Sequence, residues 1–531
     1  MKRGIECGGY SANRIFISYD QKTMQVQNVG RTKTATPKSL DDINSVPEIR
    51  EQLFATFMGA YFPACMDGDT HVDSWRYLIS SFEVLPHKTT MLQRALSAIC
   101  CVYIGRINSD DRLSHHGIQL YNSSMRSMSK MLCTKTHSEE SLYATVIFQM
   151  IEKCIAVKKT TGPSGHDVHG CGNGFDPWVF HMQAMRSLLL ENQDKLSVNP
   201  LMNAVSSSYA KLAIIYGILA VRGPGDDNTH LINPCPRTPL DDLFDMFLTG
   251  RSLLDTIEIM NTLPLDDPKV SSKACFALLQ TIVEYRDRMT SWYAEKEALI
   301  GGPPVVCEAK NTKLFNQTLL EENPFGSFYR FTSLDNARIH ILYWTAMNFA
   351  HTLVYRAQIM VVSANRAIFP ADHFPTDPSS YESFVMASYY TDQVCRAIPY
   401  CMQPMHRIWG THIVFGTLGN VFRTYIQRLS REKFLWCQRV LEVAGALGLG
   451  MAFYFTGVAN REWAAMEDAA ESMVRTPTYA SSPDENYSLD DLIDSSSPLS
   501  SDYFSKPASV DFQVDFRELP ELPFEEVCLE L

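Results

Sequence analysis

The sequence predicts an all-α protein, a large and irregular helical domain between a disordered N-terminal linker and an acidic C-terminal tail. Three observations carry this expectation. Apolar residues recur every third or fourth position through most of residues 46–470, which is the period of a helix face. Alternating strand patterns are scarce, and hairpin dipeptides between apolar runs are absent. Of 531 residues, 45% are hydrophobic and 20% charged, the balance of a chain that buries a sizeable core.

Taken in order, residues 10–45 are rich in Thr, Ser, Gln and Asn, contain Pro37, and hold neither a sustained period nor an a/d zipper pattern, so they read as a flexible linker. The body opens at VPEIREQLFATFMGAYF, where Ile49, Leu53, Phe57 and Tyr61 mark one helix face. Met91, Leu92, Ala95, Leu96, Ile99, Val102 and Tyr103 form a wide stripe on the next helix, and Ile118, Tyr121, Met125, Met128 and Leu132 form another. Thr136 and Glu139 stand at capping-box spacing before SLYATVIFQMIEKCIAV, which is apolar on most sides and therefore expected to be buried. Asp176 and Pro177 fit an N-cap and first helical position for PWVFHMQAMRSLLLENQ. Six further helical stretches follow, the last being REKFLWCQRVLEVAGALGLGMAFYF. No self-similarity of about 20 to 50 residues points to a regular solenoid.

Charge is segregated along the chain. Residues 1–40 carry seven Lys or Arg against Glu6 and Asp20, and residues 476–531 carry thirteen acids against Lys506 and Arg517. The overall charge of -12 therefore hides a basic head and an acidic tail around a nearly balanced body. The 14 cysteines form no compact framework, which suits a reducing compartment. The start of the chain is polar and lacks a secretory pattern. The most apolar region, ILYWTAMNFAHTLV, is interrupted by Asn348, His351 and Arg356 before the roughly 20 apolar residues that a membrane span requires.

The opening MKRGIECGGY matches the end of the Cys-x-Lys-Arg-Gly-Ile-x-Cys loop that holds the last two ligands of a six-cysteine binuclear zinc cluster, through Lys2, Arg3, Gly4, Ile5 and Cys7. LQRALSAICCVYIGRINSDDRLSHHGIQLYNSSMRSMSKML, WVFHMQAMRSLLLE and LYWTAMNFAHTLVYRA follow in the order found in the fungal-specific transcription factor domain. On these residues the chain resembles a fungal zinc-cluster transcription factor, cut within the cluster.

The resemblance implies four parts. Residues 1–9 would be the remnant of the DNA-binding domain and 10–45 the linker. Residues 46–470 would be the helical regulatory domain, and 476–531 a disordered acidic activation tail. Cys7 would be the sixth zinc ligand, the fifth falling just before Met1, so zinc is expected only if five upstream cysteines exist. Soft, bridging thiolates suit two adjacent zinc ions in closed structural sites. Lys2 and Arg3 would touch phosphate, and two charges do not specify a DNA site. DNA is then a partner of the full-length form only. The resemblance also implies a nuclear protein that regulates metabolic or secondary-metabolite genes, and it allows a homodimer.

In the tail, Leu492, Ile493, Phe512, Phe516 and Phe524 stand among Asp and Glu, with Ser and Pro keeping the chain open. This is the composition of a disordered activation segment whose apolar anchors dock on coactivators. Other constellations carry less. His166, His169 and Cys171 share a Gly-rich loop without a fourth ligand, and read as a surface loop. His181, beside Trp178, Met185 and Leu188, reads as a hydrogen-bonded core histidine. Cys395 and Cys401 fit no zinc knuckle and read as packing residues. No Gly-x-Ser-x-Gly elbow, HExxH helix or Walker loop is present, so an enzyme is not expected. The alternative to a DNA-binding regulator is a non-DNA-binding helical interaction protein that acts through partners.

Overall fold

The structure, a computed structural model, describes residues 17–19, 26–28, 47–63, 74–82, 85, 89–133, 139–155, 176–196, 198–219, 238–262, 267–308, 317–366 and 378–475. The helices are α1 (Pro47–Tyr61), α2 (Ser74–Ser81), α3 (Thr90–Ile107), α4 (Asp111–Cys133), α5 (Glu139–Ile155), α6 (Asp176–Glu191), α7 (Gln193–Leu196) and α8 (Pro200–Leu219). They continue with α9 (Pro239–Thr262), α10 (Pro268–Lys296), α11 (Thr318–Glu321), α12 (Leu334–Arg366), α13 (Pro378–Cys401), α14 (Arg407–Gln427), α15 (Arg431–Ala446) and α16 (Met451–Arg475). The all-α expectation holds for the body.

Two short antiparallel pairs accompany the helices. Strand β1 (Ile17–Tyr19) pairs with β2 (Val26–Asn28), with Ser18 opposite Gln27. This pair lies inside the stretch read as linker, where the β-branched and aromatic run IFISY favours extended backbone. Strand β3 (Val305–Cys307) pairs with β4 (Phe328–Arg330), with Val306 opposite Tyr329.

Several helices start at a proline whose predecessor caps them. Asn199 Oδ1 accepts from the amides of Leu201 and Met202 at 3.0 and 3.2 Å, ahead of Pro200. Asp267 Oδ1 accepts from Lys269 N at 2.9 Å, ahead of Pro268. Thr238 and Asp241 form a reciprocal capping box around Pro239, Thr238 N donating to Asp241 Oδ2 at 3.0 Å. A proline at the first position loses nothing, because its missing N–H would have had no partner there, and the cap satisfies the neighbouring amides.

Helix ends explain the hairpins. After α3, Asp110 N donates to Gly105 O at 2.8 Å and Ser109 takes a positive φ of 54°. After α14, Ser430 N donates to Tyr425 O at 3.0 Å and Leu429 has φ 49°. After α15, Leu449 N donates to Ala444 O at 3.1 Å and Gly448 has φ 104°. Each is a Schellman closure, with a left-handed residue turning the chain and satisfying carbonyls of the last turn. The third corrects the sequence reading, in which REKFLWCQRVLEVAGALGLGMAFYF is a single helix. Gly448 splits it into α15 and α16.

One hydrophobic core runs through the described helices. In its first half, α3 packs on α1, α4 and α5, and α5 packs on α6. A Cβ on Gly117 would meet Val102 Cγ2 at 2.7 Å, so glycine is what lets α3 and α4 approach closely. In the second half, α12 packs on α9, α10, α13 and α14. The halves join where α1 meets α14: Tyr61 Oη lies 2.9 Å from His412 Nε2, and the Phe62 and Trp409 rings are 5.6 Å apart. Among the described residues no helix is long and apolar enough to cross a membrane.

Candidate functional site

The residues singled out at the two ends of the sequence, namely Lys2, Arg3, Cys7, Leu492, Ile493, Phe512, Phe516 and Phe524, lie outside the described residues, as do His166, His169 and Cys171. Among the described residues no three His, Cys, Asp or Glu side chains gather in a form that could hold a metal ion. What the fold brings together instead is a pair of buried polar clusters, one in each half of the core.

The first cluster takes Tyr121 from α4, Glu152 from α5 and His181 from α6. Tyr121 Oη donates to Glu152 Oε1 at 2.5 Å and lies 2.8 Å from His181 Nε2, while His181 and Glu152 are 4.0 Å apart. His181 is therefore hydrogen-bonded within the core, as its apolar neighbours suggested. Burial raises the Glu152 carboxyl above its usual range and pushes the His181 imidazole down to about 4. The phenol has a single hydrogen. When Glu152 takes it, His181 Nε2 must carry its own hydrogen and donate to the Tyr121 oxygen, which assigns the tautomer. The Phe148 ring closes one side, 5.3 Å from Tyr121 and 5.5 Å from His181.

The second cluster carries more reactive groups. From α13 come Asp392 and Cys395, one turn apart; from α15 come Lys433 and Cys437, also one turn apart; from α14 comes Tyr425. Lys433 Nζ donates to Asp392 Oδ1 and Oδ2 at 2.9 and 2.8 Å, and Tyr425 Oη donates to Asp392 Oδ1 at 2.8 Å. Tyr425 Oη also lies 3.4 Å from Cys395 Sγ, which is 4.0 Å from Cys437 Sγ. The ammonium sits 5.6 Å above the Phe325 ring and 5.7 Å above the Tyr425 ring. Trp436 anchors α15 by donating Nε1–H to Leu319 O at 3.0 Å.

This arrangement has an outside and an inside. Side chains of Lys433 and Asp392 are 31% and 27% exposed, whereas Cys395 and Cys437 are fully buried. Burial, reinforced by neighbouring acidic groups, raises the Tyr425 phenol and the Cys437 thiol well above their usual ranges, so both stay protonated at neutral pH. An ion pair at the surface thus leads through a phenol to two thiols.

Sequence reasoning placed Cys395 with Cys401 as packing residues. Cys401 is one, fully buried, its backbone carbonyl pressed against Gly410 of α14. Cys395 is more than that, because its partner Cys437 stands 42 positions away on another helix. The available signal was a pair of one-turn spacings, Asp-x-x-Cys in α13 and Lys-x-x-x-Cys in α15, each placing a charge and a thiol on one helix face.

Two further places in the fold gather polar groups. Asn348 of α12 donates to Ala387 O and Thr391 Oγ1, both at 2.8 Å, and accepts from Asn420 Nδ2 at 2.6 Å, tying α12, α13 and α14 together. Between α1, Phe82 and α3 lies a cleft of about 110 Å³ lined by Arg50, Glu51, Phe54, Gln93 and Ser97, with Cys100 among its walls. Pockets that take drug-sized ligands run to about 300–1,000 Å³.

Compared with known proteins, the chain matches no family model, no curated protein and no solved structure.

Proposed function

We propose that this chain is a nuclear regulator of RNA polymerase II transcription of the fungal zinc-cluster type. Residues 46–470 would serve as its helical regulatory body and residues 476–531 as its coactivator-recruiting tail. The observation that carries the reading is the segregation of charge: a basic head and a tail of thirteen acids interleaved with aromatic and aliphatic residues flank an all-α body. The KRGIEC stretch adds the resemblance to a zinc-cluster loop. In this reading Cys7 holds zinc together with five further thiolates, Lys2 and Arg3 contact phosphate, and metabolic genes are the targets.

Tethering the chain to a heterologous DNA-binding domain tests the tail. Reporter output is expected to rise with the full chain and to collapse when residues 476–531 are deleted; output unchanged by the deletion would refute activation through the tail. The second reading is a non-DNA-binding helical interaction protein that acts through partners. Zinc content separates the two, since two zinc ions per chain require the complete six-thiolate cluster and zinc-free protein supports the partner-acting form.

A further inference from the structure

The nine described cysteines are all free thiols. Cys133 is exposed, and Cys100, Cys101 and Cys154 are buried in the first half of the core. Cys395 and Cys437 differ from these because their sulfurs touch across two helices and because one of them adjoins a proton path. The sulfurs stand 4.0 Å apart, in contact but well beyond a disulfide bond of about 2.05 Å, so bond formation has to draw the two residues together. Helices α13 and α15 each pack on α14, so a bond between them would clamp the three-helix unit across its middle.

We propose that Cys395 and Cys437 are an oxidation site, at which a hydroperoxide converts the thiol pair into a disulfide with Tyr425 and Asp392 relaying the proton of Cys395. The Cys395 thiol gives its proton to Tyr425 Oη as the phenol proton moves to Asp392 Oδ1. Because both sulfurs are fully buried, the hydroperoxide reaches them when α13 and α15 open locally; the Cys395 thiolate then attacks its terminal oxygen, breaking the O–O bond and giving Cys395 sulfenic acid. The departing alkoxide takes up the relayed proton and leaves as an alcohol, or as water when the oxidant is hydrogen peroxide. The Cys437 sulfur then attacks the sulfenic sulfur, forming the S–S bond, and the sulfenic hydroxyl leaves with the Cys437 proton as water. Two thiols are oxidised by two electrons and one hydroperoxide is reduced. The site stands whether or not the chain regulates transcription.

The test uses the full chain, treated with hydrogen peroxide, alkylated, digested with trypsin and analysed by mass spectrometry. The expected product links the peptide Phe434–Arg439 to the peptide ending at Arg396. Exposed Cys133 serves as an internal dosimeter. A reduced Cys395–Cys437 pair in protein whose Cys133 is fully oxidised would overturn the proposal. Replacing Tyr425 with Phe keeps the ring and removes the relay, and is expected to slow disulfide formation on the order of 10²-fold with Cys133 oxidation unchanged. Equal rates with and without the phenol would overturn the relay. Circular dichroism of the Tyr425→Phe variant confirms its fold, and the wild-type measurement needs no variant.

Discussion

The two halves of the core hold a carboxylate between helices in opposite ways, Glu152 deep inside and Asp392 near the surface. In the first half Glu152 has a phenol and an imidazole as neighbours, and among the described residues no Lys or Arg pairs with it. Its carboxyl is pushed toward the neutral form. In the second half Asp392 is held by Lys433 through both oxygens and by Tyr425. The first cluster is closed on itself and ties three helices together. The second keeps a charge at the surface and aims a polar chain at two thiols. Shared ingredients thus give a structural tie in one place and a reactive site in the other, and the lysine makes the difference.

Acid should break the halves apart in order, and this is the largest effect expected. His340, His351 and His406 of the second half are each pushed by burial from 6.5 down to about 4, and His412 is pushed well below its usual value. A histidine with a lowered folded pKa contributes stability that is complete above pH 6.5 and is lost as pH falls toward 4, because the unfolded chain binds the proton first. Each contributes a loss of up to about 2 kcal/mol at pH 5. In the first half His181 has the same sign, but Glu152 opposes it: its raised pKa gives stability that is complete below 4.5 and lost as pH rises. Hydrogen exchange at pH 5 should therefore show α12–α14 losing protection before α3–α6. Loss in the reverse order would contradict this.

Substitution of the two acids sharpens the contrast. Asp392→Asn leaves the Lys433 ammonium without its carboxylate and should cost about 1–2 kcal/mol, the pair being one-third exposed. Glu152→Gln keeps an acceptor for Tyr121 and removes an unpaired buried charge, so it should cost under about 1 kcal/mol at pH 7 or stabilise. Urea unfolding of both variants at pH 7 measures the difference, and equal losses would remove the distinction.

Helix periodicity made most of the fold legible, because each helix buries a stripe that the sequence shows directly. The spacing puts Ile49, Leu53, Phe57 and Tyr61 on one face; the last three are buried and Ile49 is half-buried against the core. The break between α15 and α16 was not legible, because Ala444, Leu447, Leu449 and Met451 keep an apolar spacing across it while a backbone angle at Gly448 decides the turn. The candidate site was less legible still. Periodicity assigns Cys395 and Cys437 to buried faces of their own helices, and only the packing of both on α14 brings the sulfurs together. The basic head and acidic tail were read from composition and lie outside the described residues.

The turns give the smallest test. Gly448→Ala forces an ordinary residue into a left-handed angle and places a Cβ 2.9 Å from Tyr103, and should cost about 1–2 kcal/mol. Leu429→Gly, at an exposed left-handed position, should stabilise by roughly 0.5 kcal/mol. Thermal unfolding of the two variants should shift in opposite directions, and a shift in the same direction would argue against turn strain as the cause.

The most direct measurement of the functional reading is reporter output from the DNA-tethered full chain in which Leu492, Ile493, Phe512, Phe516 and Phe524 are all replaced by alanine while every acid is kept. The account predicts that most of the activation is lost, because apolar anchors rather than charge alone engage the coactivator. Full activation by the alanine-substituted tail would contradict it.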